Sequence, residues 1–231
     1  MKRILLKLSG EALSGDKGFG FDEANAAAVA AQIKKVADTG IQIGIVIGGG
    51  NFWRGRTSGD MGRSQADQIG MLATIMNCIY MSEAVRATGL MTNILTPFDC
   101  GSFTKLYSKD RAEKYLNAGH IVFFAGGTGH PYFSTDTATA LRAIEIGADM
   151  ILLAKAVDGI YDSDPAVNPD AKRYDTISLE DVIDQRLGVM DLTASIMCSE
   201  NHMPMRVFAL DEKDSILKAV SGDFNGTTVT A

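Results

Sequence analysis

The sequence predicts an α/β fold, a three-layer α/β/α sandwich in which helices cover both faces of a mainly parallel central sheet. Short apolar runs of strand length recur along the chain, and stretches of helical period lie between them. Several of the runs end in glycine or a polar turn. Continuous apolar strands alternating with amphipathic helices are the pattern of a parallel sheet buried on both faces. Right-handed crossovers put the ends of such strands, and the turns that follow, along one edge. Open sheets of this kind take their ligands there.

In chain order, residues 4–8 form the first run, before Ser9-Gly10. Residues 43–47 lead into Gly48-Gly49-Gly50, residues 121–124 into Ala125-Gly126-Gly127-Thr128-Gly129, and residues 150–153 into Ala154-Lys155. Weaker strands are expected at 92–95, 206–210 and 227–230. Helical patterns occupy 22–39, 64–88, 109–117 and 135–146, with shorter ones near 179–185 and 212–220. In the second of these, Met71, Ile75 and Ile79 fall on one face, the spacing of a helix. The segment 158–175 is long and polar, which suits a functional flap. With no repeat, low-complexity tract or linker, the expectation is one domain over residues 1–231.

Composition narrows the function. Hydrophobic residues make up 46% and charged residues 22% of the 231, near the globular average. A formal net charge of −6 argues against a nucleic-acid substrate held by a general positive field, but leaves room for a small anion on a local basic cluster. The 3 cysteines lack CxxC spacing and read as reduced thiols, neither a disulfide frame nor a zinc site. Lys7 breaks the apolar run of MKRILLKLSG, so it does not read as a signal peptide, and no run approaches the roughly eighteen apolar residues of a membrane span. A soluble, cytoplasmic protein is expected, with no membrane partner.

The chemistry-bearing residues sit at the ends of the expected strands. Bare backbone N–H groups beside helix N-termini cradle anions, and Ser9-Gly10, Gly48-Gly49-Gly50-Asn51 and Gly126-Gly127-Thr128-Gly129 all qualify. Tight turns are the other reading of each loop. Lys7 lies inside a strand that should be buried on both faces, where a charge is costly unless it meets an anion. Lys155 poses the same question, and snorkelling to water is the alternative for both. Ser134 or Thr135 can cap a helix with Asp136 in its first turn. That leaves Thr128 and the His130-Pro131-Tyr132-Phe133 loop to be explained. In VDGIYDSDP (157–165), a ring and carboxylates could serve a base and a ribose, or simply a turn-rich loop.

KLSGEAL (7–13), VIGGGNFWRG (46–55), GMLAT (70–74), GTGHPYFSTDT (127–137), VDGIYDSDP and VMDLTA (189–194), with the terminal GTTV, resemble the bacterial uridylate (UMP) kinases of the amino acid kinase superfamily. The likeness spans essentially the whole chain in order. It implies an amino acid kinase-like fold and transfer of the γ-phosphate of Mg-ATP to UMP, giving UDP and ADP in pyrimidine nucleotide biosynthesis. Lys7, Leu8, Ser9 and Gly10 match the first ATP-phosphate loop, Gly50 and Arg54 further ATP contacts, and Tyr161 and Asp164 the adenosine contacts. Gly49 and Asp67 match UMP contacts, and Thr128, Gly129, His130, Pro131, Tyr132, Phe133, Ser134 and Thr135 match the loop that encloses UMP. Lys7, Arg54, Asp136 and Lys155 form the expected catalytic set, Asp136 holding the lysines. Lys155 stands where the family commonly has Thr or Asn, so it either replaces that adenine-side contact or serves as the family's lysine. Gly15, Asp16, Lys17, Gly18, Phe19 and Gly20 match the segment tied to activation by GTP. Inhibition by UTP and a homohexamer are implied as well. Mg2+ is expected on ATP oxygens and water, with no protein metal ligands.

Two other readings compete. A superfamily kinase acting on an amino acid or carbamate would share the first and last motifs without needing GTGHPYFSTDT. A non-catalytic nucleotide-binding regulator on the same fold would be expected to lack Lys7 or Asp136.

Overall fold

The computed structural model describes residues 1–53 and 61–231, the side chain of Asp16 excepted. The chain runs β1 (Arg3–Leu8), α1 (Glu11–Ser14), α2 (Glu23–Ala37), β2 (Gln42–Ile47), α3 (Arg63–Arg86), β3 (Thr92–Thr96), β4 (Lys105–Leu106), α4 (Lys109–Asn117), β5 (Ile121–Phe124) and α5 (Thr135–Glu145). It continues through β6 (Met150–Lys155), β7 (Ile160–Tyr161), β8 (Arg173–Tyr174), β9 (Thr176–Ser178), α6 (Leu179–Asp184), α7 (Leu192–Glu200), β10 (Met205–Ala209), α8 (Ser215–Ser221) and β11 (Gly226–Thr230). The expected strands and helices are all present, most within a residue or two of their expected ends.

The main sheet has nine strands in the order β4-β3-β5-β2-β1-β6-β10-β11-β9. Its pairings are parallel except β10 with β11. Because strand side chains alternate between faces, each central strand feeds two cores. Ile4, Leu6 and Leu8 of β1 pack with α2, α3 and α8, while Leu5 points to the core formed with α4, α5, α6 and α7. Both cores are fully buried at their centres. Each completely buried Leu or Ile side chain there is worth roughly 1.5–3 kcal/mol of transfer free energy. No helix among the described residues is long and apolar enough to cross a membrane.

The helix starts follow the local chemistry. Ser108, Ser134, Ser178 and Asp191 each accept a backbone N–H from the first turn of the helix that follows them. Asp22 does the same for α2, accepting from the Asn25 N–H at 3.1 Å. Capping residues of these types satisfy N–H groups that have no partner inside the helix.

Several features depart from expectation, among them the short edge strands β4 and β9 and the single turn of α1, which the sequence did not signal. The polar segment 158–175 carries a small antiparallel sheet, in which Ile160 pairs with Tyr174 and Tyr161 with Arg173. Helix α7 was not expected, because its buried residues are Ala194, Ser195 and Cys198, which make no apolar stripe. Helix α8 begins at Ser215 and not near Glu212, because Asp214 takes a left-handed conformation (φ 59°) that helical backbone cannot continue.

Candidate active site

Strand alternation explains where the two lysines go. Lys7 follows Leu5 by two residues on β1, and Lys155 follows Leu153 by two on β6, so both point to the α5 side of the sheet. There Lys7 Nζ lies 3.0 Å from Asp136 Oδ1 in the first turn of α5. The contact is Coulombic: no hydrogen-bond donor is aligned on Asp136 Oδ1 among the described residues. The Lys7 ammonium therefore keeps donors for another anion. Lys155 donates to the carbonyls of Val189 and Gly188. Burial holds the Lys155 ammonium below its ordinary pKa, with Lys7 pushing the same way and Asp136 opposing. The expected grouping of Lys7, Asp136 and Lys155 is present.

The glycine loops converge at the same edge. A Cβ at Gly10 would lie 2.5 Å from Asn51 Oδ1 and 2.6 Å from the Gly48 carbonyl, so the first two loops touch through their backbones. A Cβ at Gly49 would meet Ala73 and the Gly70 carbonyl of α3, each at 3.0 Å. At Gly50 it would meet only the Glu11 carboxylate, at 3.2 Å. None of Gly48, Gly49 and Gly50 has positive φ, so backbone strain is not what excludes side chains here; contact crowds Gly49 and Gly50, while a Cβ at Gly48 would meet nothing nearer than 3.4 Å. Arg54 lies outside the described residues.

A cavity of about 150 Å³ is lined by Gly49, Trp53, Asp67, Thr74, Thr128 and Phe133, together with Ser134 and Thr135, which directly precede Asp136. Trp53 is held there by its indole N–H, which donates to the Ala66 carbonyl at 2.8 Å. Thr74 accepts the Gly126 N–H at 2.8 Å, tying α3 to the start of the GTGHPYFSTDT loop. Asp67 Oδ2 accepts from the Tyr132 N–H and from Arg63 Nε, each at 2.8 Å. Tyr132 is one of the few non-glycine residues with positive φ (74°), a conformation the Asp67 bond helps to hold. Gly129, His130, Pro131 and Tyr132 form the outer arm of the loop and do not line the cavity, and His130 is exposed.

A second cavity, of about 450 Å³, is bounded by Lys155, Gly159, Tyr161, Asp164, Arg186 and Val189. Tyr161 donates its hydroxyl to Asp158 Oδ1 at 2.6 Å, and Asp158 also pairs with Arg173 at 2.6 Å. Asp158 is thus engaged in fixing the ring. Asp164 Oδ1 accepts the Ala166 N–H at 2.9 Å, which leaves its other oxygen for a ligand.

Sequence reasoning missed Asp191. Its Oδ2 accepts from the hydroxyls of Ser134 and of Thr137, the latter at 2.9 Å, and its Oδ1 accepts the Ala194 N–H at 2.9 Å. One carboxylate therefore ties the start of α7, beside the larger cavity, to the start of α5, beside the smaller. Burial would raise its pKa, but these bonds outweigh that and hold it below the usual carboxylate range. The signal was present in VMDLTA, a motif quoted without a role for its aspartate.

The amino acid kinase family model matches residues 2–209. The chain belongs to the amino acid kinase family. Among solved structures it is similar to a UMP kinase from Bacillus anthracis, at 36% identity and TM-score 0.95, over 99% of this chain and 96% of that one. It is equally similar to a UMP kinase from Ureaplasma parvum, at 35% identity and TM-score 0.95, over 100% and 99% of the two chains. A uridylate kinase from Archaeoglobus fulgidus matches over 100% of both chains at 25% identity and TM-score 0.78. Within this family fold, the smaller cavity is lined by six of the ten expected UMP contacts and the larger by Lys155, Tyr161 and Asp164 of the expected ATP contacts.

Proposed function

We infer that the chain transfers the γ-phosphoryl group of ATP to UMP, giving UDP and ADP. The observation that carries this reading is the Lys7–Asp136 pair at the strand ends: Ser134 and Thr135, just before Asp136, line the smaller cavity, and Lys155, whose charge feels both Lys7 and Asp136, lines the larger. In-line transfer needs two phosphates facing one another over such a charge. The smaller cavity suits UMP: Asp67 offers its carboxylate to the ribose hydroxyls, and Trp53 and Phe133 offer apolar walls to the base. The larger suits the adenosine of ATP, beside Tyr161 and Asp164.

Phosphoryl transfer passes through a loose transition state, so positioning and charge stabilisation do most of the work. Lys7 offsets charge on the transferring group, while Asp136 orients Lys7. The backbone N–H groups of Ser9-Gly10 and of the Gly48–Gly50 loop hold non-bridging oxygens, aided by the α5 N-terminus. Lys155 supports the ATP side from its bonds to Gly188 and Val189. The UMP phosphate is already ionised at neutral pH, so no side chain is required as a strong base.

Magnesium fits this set as an ion carried by ATP. Asp136 is engaged with Lys7 and Asp191 with two hydroxyls, and no group of three or more His, Cys, Asp or Glu among the described residues is placed to hold a metal. Mg2+ retains waters and binds phosphate oxygens readily. Bound to ATP, it supplies charge neutralisation.

The same reading takes the chain as a single cytoplasmic domain that assembles as a homohexamer, activated by GTP through residues 15–20 and inhibited by UTP. The exposed apolar side chains of Leu72, Met76 and Ile79 on α3 support a self-association face. Steady-state assay with Mg-ATP against UMP, CMP, acetylglutamate and aspartate tests the central reading. Turnover of UMP far above the others is expected. Preference for an amino acid would overturn it.

A further inference from the structure

The glycine loop ends in an amide that the proposed mechanism leaves unused. Asn51 is 1% exposed and packs against Asn77 of α3, which is 0% exposed. The two side chains form a reciprocal pair: Asn77 Nδ2 donates to Asn51 Oδ1 at 2.7 Å, and Asn51 Nδ2 donates to Asn77 Oδ1 at 3.0 Å. Each amide nitrogen makes one further bond to a glycine carbonyl. Asn77 Nδ2 donates to Gly48 at 2.6 Å, and Asn51 Nδ2 donates to Gly20 at 2.8 Å. The main chain of Asn51 also accepts the Gly20 N–H at 3.1 Å. Gly10 packs directly on the Asn51 amide, since any Cβ there would lie 2.5 Å from Oδ1.

We propose that the Asn51–Asn77 amide pair is a positioning device for phosphoryl transfer, setting the glycine loop against Ser9-Gly10 without touching either nucleotide. The proposal rests on the reading of those two loops as the phosphate cradle. Two buried amides are costly to desolvate and are tolerated because all four amide N–H donors are bonded. An apolar pair of similar volume would fill the same space, but it could not grip carbonyls in two separate glycine segments. Neither asparagine lines the two nucleotide cavities. What the pair fixes is the orientation of backbone donors, on which preorganised stabilisation of a developing charge depends. The bond to Gly20 joins the segment 15–20 to the same frame. The edge contact of Phe52 with Phe19, at 5.4 Å between ring centroids, runs alongside it.

Isosteric substitution separates positioning from packing. Asn77→Asp keeps the shape but replaces a donor with an oxygen that repels the Gly48 carbonyl. Asn51→Asp releases Gly20 and sets an oxygen against Asn77 Oδ1, but leaves the Asn77 donors to Gly48 and to position 51 in place. Kinetics with UMP and Mg-ATP are measured below each variant's melting point. Asn77→Asp is expected to lower kcat by about a hundredfold, the scale of a small misplacement of reacting groups, with both KM values within about threefold. Asn51→Asp is expected to lose less, about tenfold, because the Gly48 grip survives. A folded Asn77→Asp enzyme with near-normal kcat and only a lowered melting point would overturn the proposal. Should that variant not fold, Asn51→Asp decides alone: an unchanged kcat overturns the proposal and a clear loss supports it. Lys7→Met separately tests the phosphate-cradle reading, since retention of kcat there would remove that reading whatever the asparagine variants do.

Discussion

Lys7 Nζ and Asp136 Oδ1 stand 3.0 Å apart, with side chains 12% and 21% exposed, at the point where the ends of β1 and α5 meet. A lysine this enclosed is held by its partner. Replacing Lys7 by Met keeps the length of the side chain and removes its charge. Lys7→Met is expected to lower kcat by at least about a hundredfold, the scale of losing one preorganised donor. Circular dichroism should show the fold intact, because Met suits the surroundings of Leu5 and Leu153. Near-normal turnover by the folded variant would remove Lys7 from the mechanism.

Asp67 has two partners already, the Tyr132 N–H and Arg63, both on Oδ2. Asp67 lines the smaller cavity, and on the proposed function its carboxylate takes a ribose hydroxyl there. Asp67→Asn should raise KM for UMP much more than KM for ATP, since hydrogen bonds to a charged group contribute about 1.5–3 kcal/mol. The opposite pattern, with ATP affected and UMP spared, would mean that the two pockets are assigned the wrong way round.

Gly49 and Gly50 should respond differently to a methyl group. At Gly49 the added Cβ presses on α3 from 3.0 Å, against a helix backbone that cannot easily yield. At Gly50 the nearest neighbour is the Glu11 carboxylate, a side-chain group at 3.2 Å and not helix backbone. Gly49→Ala is therefore expected to lower the melting temperature without ligand as well as to weaken the rise produced by UMP. Gly50→Ala is expected to melt near the wild-type value but to lose part of the rise produced by Mg-ATP, because ligand stabilisation tracks affinity. An intact Mg-ATP shift in Gly50→Ala would make that glycine a turn residue only.

The central strands were legible because both neighbours of each bury it, which leaves uninterrupted apolar runs such as residues 43–47 and 121–124. Lys7 and Lys155 stood out as exceptions in such runs; the structure pairs Lys7 with Asp136 and anchors Lys155 on the Val189 and Gly188 carbonyls, where it feels the charge of both. What escaped notice lacked a periodic signature. Helix α7 buries small and polar residues, and β7 and β8 are two residues each inside a polar segment. Asp191 escaped for another reason: its partners, Ser134 and Thr137, are more than fifty positions away. Only the packing of α5 against α7 brings them together. The Asn51–Asn77 pair is long-range in the same sense, and sequence alone showed only that an amide follows the glycines.

Asp191 makes a prediction about pH. Its folded-state pKa is depressed, so its contribution to stability is fully present above the unfolded value, about 3.9 for an aspartate. That contribution is lost as pH falls through the lower folded value, because the unfolded chain then takes up the proton first. Asp191→Asn keeps the shape and removes the charge that receives the Ser134 and Thr137 hydroxyls. At pH 7 the variant should melt below the wild type, and the gap should narrow as the pH is lowered past about 3.9. Since the same carboxylate ties the α5 start to the α7 start, kcat at pH 7 should fall too, with Lys7 and Asp136 still in place. A melting gap that stayed constant from pH 7 down to the acid limit would show that the Asp191 charge does not hold the two helices together.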